Sequence, residues 1–197
     1  RYGVNLIGGD TTQSPHLSLS VTALCWIEHG RAIARSGAQV DDLIVVSGTV
    51  GDAAFALQHL GHPLQQRLDY PTPRCELGLL LQGLASSMID ISDGLAQDLG
   101  HILKASAKGA CLELTQLPLD PALQRLPEQQ QWRYALAGGD DYELCFTISP
   151  EHYQQLLQRQ PNVQTTVIGQ IIQTPTIIIN KNGQAQQLDL KGYQYLA

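Results

Sequence analysis

Segments with the pattern of a strand alternate with segments with the pattern of a helix from residue 42 onward. Residues 42–47 form a short apolar run bounded by turn residues, which is typical of a buried strand. Residues 95–107 repeat leucine and isoleucine at helical spacing. The alternation predicts a layered α/β or α+β fold, in which helices pack against a mixed sheet.

The remaining pattern gives the other expected elements. Further strands are predicted at residues 4–7, 17–27, 87–91, 110–114, 142–148, 165–171 and 177–179. Helices are predicted at 75–87, 95–107 and 150–160, with a polar and exposed helical excursion at 118–131.

Three motifs join glycine to aspartate beside predicted strands: GGDTT at 8–12, IDISDG at 89–94 and GGDDYEL at 138–144. Glycine lets backbone N–H groups approach a ligand closely, and carboxylates bind phosphate well when Mg²⁺ lies between them. The motifs therefore predict a metal-dependent nucleotide or phosphate site built from distant parts of the chain. GTVGDAA at 48–54 follows a predicted strand and is a weaker candidate for a phosphate contact, since the same run also suits a simple turn into a helix.

Asp90 and Asp93 are the most specific candidates among these acids. They flank Ser92 at a predicted strand end, where two close carboxylates repel each other unless a divalent cation neutralises them. The alternative is that Ser92 or Asp93 caps the following helix, although a cap needs only one residue. Asp98 is predicted to be a residue of the helix face, and Asp10 suits either a ligand site or a local turn.

Three acids, Asp140, Asp141 and Glu143, crowd into four positions after two glycines. In a strand, Asp141 and Glu143 would share a face and Asp140 would point to the opposite one. Solvated surface acids are the alternative. Arg31 or Arg35 could meet a nucleotide phosphate, with a plain surface arginine as the alternative reading.

No residue pattern indicates a nucleophile that needs activation, so we expect no catalytic side chain in that sense. An acidic, glycine-rich site suits phosphoryl transfer by positioning and metal electrostatics. Tyr193, in KGYQYL near the last residue, either packs on the domain or stacks on a planar ligand.

Composition limits the partners of the chain. Of its 197 residues 43% are apolar and 15% are charged, as in a globular protein, and the net charge of −6 disfavours a nucleic-acid surface. Neither a signal peptide nor an apolar run long enough to span a membrane is visible. The four cysteines, Cys25, Cys75, Cys111 and Cys145, lack CxxC spacing, so we expect reduced, buried thiols and a cytoplasmic protein.

Five segments taken together resemble the thiamine-monophosphate kinase family in order and spacing: GGDTT, ARSGA at 34–38, IDISDGLAQDLGHI at 89–102, GGDDYELCF at 138–146 and LKGY at 190–193. The wider superfamily includes aminoimidazole ribonucleotide synthetase, selenide water dikinase and the hydrogenase-maturation dehydratase. The resemblance implies the C-terminal α/β domain of that superfamily. It also implies direct in-line transfer of a phosphoryl group from ATP to thiamine monophosphate, with several Mg²⁺ ions, to give thiamine diphosphate.

The resemblance also implies roles for particular residues. ATP contacts would come from Gly9, Asp10, Arg35 and Ser92. Metal ligands would be Asp10, Asp90 and Asp93. Substrate contacts would come from Asp140 and Tyr193. Many relatives carry Glu where this chain has Asp140, which is shorter by one methylene.

The family further implies two domains. Residues 1–28 would be the last strands of a truncated N-terminal domain that binds ATP and metal, and residues 29–197 would be the C-terminal domain. We expect this chain alone to be inactive and the full-length enzyme to be a homodimer that binds small molecules. Two alternatives stay open: another ATP-using member of the superfamily, which would release ADP and free phosphate, or a non-catalytic nucleotide-binding fragment.

Overall fold

A computed structural model describes residues 3–187 of the protein. The strands are β1 (Leu43–Ser47), β2 (Ala85–Asp90), β3 (Gly109–Glu113), β4 (Leu144–Ile148), β5 (Thr165–Ile172), β6 (Ile177–Lys181) and β7 (Gln184–Ala185). The helices are α1 (Asp52–Gln58), α2 (Gln65–Asp69), α3 (Cys75–Leu80), α4 (Leu95–Ser106), α5 (Pro121–Gln124), α6 (Glu128–Ala137) and α7 (Pro150–Arg159), with a 3₁₀ turn at Leu114–Gln116.

The strands form one sheet in the order β2-β4-β1-β5-β3-β6-β7. Neighbours within this sheet run antiparallel except β3 and β6, which are parallel, so the sheet is mixed as predicted. The apolar strand β1 lies between β4 and β5, and its last four residues are buried.

Helices cover both faces of the sheet. Ile44 and Val46 of β1 belong to an apolar cluster with α4 and α6, whereas Val45 between them belongs to a second cluster with α3 and α7. Successive residues of a strand point to opposite faces, so an uninterrupted apolar run fits a strand that is covered on both. The predicted layered α/β fold is therefore confirmed.

The segment before β1 differs from the prediction. Residues 3–27 contain no strand, and their apolar side chains are exposed, Leu6 by 95% and Trp26 fully. A strand needs a neighbour for its ladder of hydrogen bonds, and no described part of the chain pairs with these residues. The strands predicted at 4–7 and 17–27 are thus wrong.

Three other boundaries moved. The helix predicted at 75–87 ends at Leu80, turns continue to Gly83 with a φ of 77°, and β2 begins at Ala85. The polar excursion is two helices, and the second buries part of its last turn in the core. β4 begins two residues late at Leu144, because Asp140 and Tyr142 have positive φ values of 65° and 51°.

None of the helices within residues 3–187 has the length and apolar character that a membrane crossing requires.

The fully buried Leu99, in the middle of α4, packs in the larger apolar cluster. Leu99→Ala should lower the free energy of unfolding by about 2–5 kcal/mol, because it removes buried methyl groups and leaves a cavity. Leu79→Ala is the matched control, since Leu79 is a leucine of α3 that is 66% exposed. That change should cost about 0.5 kcal/mol or less in urea denaturation. Equal losses for the two variants would contradict the packing described here.

Candidate functional site

Loops that carry two of the predicted motifs meet at one edge of the sheet. Asp90, the last residue of β2, lies opposite Leu144, the first residue of β4. Val46, near the end of β1, lies opposite Cys145. The glycine loop after β1, the SDG loop after β2 and the GGDDYE segment before β4 are therefore neighbours.

Backbone hydrogen bonds join the loop after β2 to the segment before β4. The N–H of Ile91 donates to the carbonyl of Glu143 at 2.8 Å, and the N–H of Tyr142 donates to the carbonyl of Ile91 at 2.9 Å. The N–H of Asp140 donates to the carbonyl of Ser92, also at 2.9 Å. Two predicted ligand contacts, Ser92 and Asp140, are thus brought together, and the Asp140 side chain is exposed.

Gly139 makes this approach possible. A Cβ atom at Gly139 would lie 2.5 Å from the carbonyl oxygen of Ser92, which is closer than real contacts allow. The glycine before Asp140 is therefore required by the junction of the two loops and not by a special backbone angle.

Asp98, in the first turn of α4, binds the backbone of the same loop. Its side chain is 2% exposed, and its Oδ2 accepts the N–H groups of Ser92 at 2.9 Å and Asp93 at 3.0 Å. Burial raises the pKa of the Asp98 carboxyl, although these two hydrogen bonds lower it. Asp98 is therefore more than the helix-face residue that the sequence suggested.

The helix-cap alternative for Ser92 and Asp93 is wrong. The N-cap of α4 is Gly94, at a φ of 114°, and no side chain caps the helix there. The exposed Asp90 carboxylate and the half-buried Asp93 carboxylate are thus left at the sheet edge without a capping role.

Arg35 lines a surface groove together with Asp90. The groove, of about 450 Å³, is lined by residues before β1 and along β2: Ile33, Ala34, Arg35, Met88, Ile89, Asp90 and Leu144. Arg31 instead faces Glu28 in an exposed ion pair, with Nε 3.4 Å from Oε2. Arg35 therefore shares a groove with one predicted metal ligand, Asp90, whereas Arg31 pairs with Glu28.

The GGDTT motif does not join this group. Gly9 and Asp10 are exposed, and Oδ1 of Asp10 accepts the N–H of the next residue, Thr11, at 2.8 Å. Within residues 3–187 no three His, Cys, Asp or Glu side chains come close enough together to hold a metal ion. Asp90 and Asp93 supply two carboxylates of the kind that Mg²⁺ prefers. Tyr193 lies outside the described residues.

A buried ion cluster lies behind the exposed acids, and we call it the Glu143 cluster: Glu143, Arg67, Arg74 and Ser47. Arg74 donates to both carboxylate oxygens, with Nε 2.7 Å from Oε2 and Nη2 2.5 Å from Oε1. Arg67 donates to Oε1 at 2.9 Å, and the hydroxyl of Ser47 donates to Oε2 at 2.5 Å. Glu143 is 1% exposed, so the two arginines offset the cost of burying its charge.

Asp141 points inward as well and bonds to the start of α1. Its Oδ2 accepts the N–H of Gly51 at 2.6 Å, and its Oδ1 accepts the N–H of Ala53 at 3.3 Å. Burial raises the pKa of Asp141 to about 7, while these hydrogen bonds act to lower it. The phosphate contact considered for the glycine loop is therefore not supported at these two N–H groups, because a carboxylate of the chain occupies them.

Asp52 adds a further buried acid beside the Glu143 cluster. Its Oδ2 accepts the hydroxyl of Thr49 at 2.5 Å and lies 3.1 Å from Nε of Arg67. Its Oδ1 is buried without a hydrogen-bond partner, and burial raises the pKa of the Asp52 carboxyl. Surface solvation thus explains Asp140 but neither Asp141 nor Glu143.

The chain has many relatives of known name, although no family model matches it. The thiamine-monophosphate kinase of Haemophilus influenzae is 48% identical over 184 residues, which cover 87% of this chain and 56% of the relative. The thiamine-monophosphate kinase of Escherichia coli K12 is 43% identical over 212 residues, covering 100% of this chain and 65% of the relative. The chain therefore spans between about half and two thirds of the length of these curated relatives.

Solved structures give a consistent result. The thiamine-monophosphate kinase of Stenotrophomonas maltophilia K279a is similar with a TM-score of 0.72 at 38% identity, over 81% of this chain and 56% of that one. AaThiL complexed with AMPPCP and TMP has a TM-score of 0.68 at 28% identity, over 83% and 54%. A chain of the HypE–HypF complex, at 17% identity, has a TM-score of 0.62 over 83% and 57%, which concerns the fold alone.

The seven-stranded mixed sheet, the helices on both faces and these neighbours define the class: the chain has the aminoimidazole ribonucleotide synthetase-like fold. Within that superfamily, the chain is a homologue of the thiamine-monophosphate kinases over the part of them that it spans.

Removing the charge of Glu143 should destabilise the fold strongly. Glu143→Gln leaves Arg74 without its carboxylate and Arg67 with Asp52 alone, so we expect a loss of about 3 kcal/mol in the free energy of unfolding. Glu128→Gln is the matched control, because Glu128 pairs with Lys181 at 2.6 Å while 58% exposed. It should cost about 1 kcal/mol or less in urea denaturation. Similar costs for the two changes would contradict the importance of the Glu143 cluster.

Asp141 should make stability depend on pH. Its pKa of about 7 in the folded protein exceeds its ordinary value of 3.8, so the folded state holds more protons between these values. Its contribution to stability is therefore lost as pH rises toward 7, by at most about 1.4 kcal/mol per pH unit. Asp141→Asn cannot titrate, so the wild-type stability minus the variant's should fall between pH 4 and pH 7. Denaturation of both proteins across that range measures it, and a flat difference contradicts it.

Proposed function

We propose that the protein transfers a phosphoryl group from ATP to thiamine monophosphate and forms thiamine diphosphate, with Mg²⁺. The observation that carries this proposal is the similarity to AaThiL complexed with AMPPCP, an ATP analogue, and TMP. The thiamine-monophosphate kinases at 43% and 48% identity support it. The chain spans 56% and 65% of those relatives, so the activity of the whole enzyme is inferred for it and not observed.

The sheet edge offers the groups that the reaction needs for its nucleotide. Asp90 and Asp93 would bind Mg²⁺, with Asp10 as a further ligand, and Ser92 and Arg35 would contact ATP together with Gly9. The groove that Arg35 and Asp90 share supports this assignment, since a guanidinium group and a proposed metal ligand line the same surface. Bound Mg²⁺ would neutralise the phosphate charge, which is the main catalytic requirement in phosphoryl transfer.

The acceptor would lie on the Asp140 side of the same edge. The hydrogen bond from the N–H of Asp140 to the carbonyl of Ser92 keeps the proposed substrate contact next to the proposed ATP contact. In-line transfer requires the two substrates to be held in such proximity. Tyr193 would complete the substrate contacts by stacking on a thiamine ring.

The proposal includes a second domain. We propose that residues 1–28 belong to an N-terminal domain that binds ATP and metal, and that residues 29–197 form the α/β domain. The exposed apolar side chains of residues 3–27 support this division. The whole enzyme would be a homodimer in the cytoplasm. The expectation of buried thiols is wrong for Cys25 and Cys75, which are exposed, whereas Cys145 is buried.

A product assay tests the proposed function. The 197-residue chain is compared with a chimera in which the N-terminal part of the Haemophilus influenzae relative precedes it. We expect the chimera to convert ATP and thiamine monophosphate into ADP and thiamine diphosphate, and the chain alone to form little. Release of ADP with free phosphate and no thiamine diphosphate would favour the other ATP-using members of the superfamily. Nucleotide binding without turnover in either form would favour a binding fragment.

Within the active form, Asp90→Asn should lower kcat by tenfold or more and raise the Mg²⁺ concentration needed for half-maximal rate. The variant loses one charge that would hold the metal, and each tenfold of rate corresponds to about 1.4 kcal/mol. Asp41→Asn is the matched control, since Asp41 is an exposed aspartate beside the opposite end of β1. Wild-type kinetics for Asp90→Asn at ordinary Mg²⁺ would remove Asp90 from the metal site.

A further inference from the structure

Asp98 fixes the main chain of the loop that carries the proposed ligands. The two N–H groups that it accepts, from Ser92 and Asp93, belong to residues that precede α4. They are therefore not the unpaired donors of the helix itself, which a first-turn acid ordinarily serves. Asp98 instead reaches back over Gly94 and holds a turn outside its own helix.

The loop is held from both sides as a result. The N–H of Ser92 is bonded to Asp98, and the carbonyl of Ser92 is bonded to the N–H of Asp140. Asp93 has its N–H on Asp98 and its Oδ2 3.3 Å from the side-chain amide of Gln97. With its backbone fixed at these atoms, the loop keeps the carboxylates in a defined direction.

A purely structural role would not require the negative charge of Asp98, and its burial disfavours that charge. Asp98 is a buried carboxylate that interacts unfavourably with the nearby Asp90 and Asp93. A neutral asparagine could accept the same two N–H groups without that repulsion. A divalent cation at the sheet edge would reverse the balance, because it attracts all three acids.

We propose that Asp98 is a positioning residue for Mg²⁺ and nucleotide: it does not touch the ligand but orients the backbone of Ser92 and Asp93 toward it. This inference rests on the proposed kinase function. Side chains that orient the ligands of a metal typically change metal affinity or activity by roughly 10–100-fold when removed.

The alternative is that Asp98 only stabilises the fold, and Asp42 is the matched control for it. Asp42 is likewise buried, and its Oδ2 accepts the N–H of Gln39 at 2.9 Å and the hydroxyl of Ser86 at 2.5 Å. It precedes β1 and so lies at the sheet edge opposite to Asp90. Asp42→Ala should reduce stability without altering the nucleotide site.

The test compares Asp98→Ala, Asp98→Asn and Asp42→Ala in the form of the protein that makes thiamine diphosphate. For Asp98→Ala we expect the Kd of Mg²⁺-bound AMPPCP to rise roughly tenfold or more by calorimetry, with the Kd for thiamine monophosphate changed less than about twofold. The KM for ATP should rise or kcat should fall, while the KM for thiamine monophosphate stays. Asp98→Asn should recover part of the affinity, since its oxygen accepts the same N–H groups but it lacks the charge that Mg²⁺ would attract.

Amide hydrogen exchange in the ligand-free 197-residue chain gives a readout that needs no turnover. In Asp98→Ala the amides of Ser92 and Asp93 should exchange at least tenfold faster than in the wild type, and the amides of β1 should exchange at the wild-type rate. In Asp42→Ala the amides of Ser92 and Asp93 should keep the wild-type rate. If the alanine variant does not fold, Asp98→Ser replaces it, because a serine hydroxyl is too short to reach both N–H groups.

Two results would overturn the positioning role. One is unchanged affinity of Asp98→Ala for Mg²⁺-bound AMPPCP, and the other is an equal loss of affinity in Asp42→Ala. A failure of the proposed function is distinguishable from either result. In that case the wild-type protein makes no thiamine diphosphate. The role of Asp98 is still tested by amide exchange at Ser92 and by nucleotide affinity, each measured in Asp98→Ala and in Asp42→Ala.

Discussion

The backbone hydrogen bonds between the loop after β2 and the segment before β4 determine how everything else at this edge is arranged. They continue the ladder of two adjacent strands beyond the sheet, through Ile91, Ser92, Asp140, Tyr142 and Glu143. Backbone groups that are removed from water need partners, so each loop supplies the partners of the other. This junction fixes the position of Ser92 relative to Asp140, and it holds the segment in which Asp141 and Glu143 are buried.

The junction also separates two uses of acidic residues. Along residues 140–143 the side chains alternate between solvent and interior: Asp140 and Tyr142 face outward, while Asp141 and Glu143 are buried. The outward acid, Asp140, is the proposed substrate contact, and its Oδ1 accepts the hydroxyl of Tyr142 at 3.2 Å. The buried acids bind parts of the protein itself, the start of α1 and the two arginines of the Glu143 cluster. A single short motif thus supplies both the surface and its internal support.

Local patterns in the sequence predicted a large part of this arrangement. The periodicity of α4 and α7 and the apolar runs of β1 and β5 are properties of neighbouring residues, so those elements lie close to their predicted positions. The sequence pattern also predicted that Asp141 and Glu143 face the same side and Asp140 the opposite one, although residues 140–143 do not form a strand. Long-range partners were not foreseen: nothing local marks Arg67 and Arg74 as partners of Glu143, or Asp98 as the acceptor for the loop before it. The strands expected at 4–7 and 17–27 failed for the same reason, since a strand depends on a neighbour that its own sequence does not reveal.

Two glycines that carry no functional group restrict how this sequence can change. A Cβ at Gly139 would collide with the carbonyl of Ser92, and a Cβ at Gly48 would lie 2.3 Å from Oε1 of Glu143. Gly48 also has a φ of 56°, which other residues adopt only with strain. A side chain at either position would therefore force the loops or the Glu143 cluster to shift. The site therefore depends on the absence of a side chain at these two glycines as much as on its charged groups.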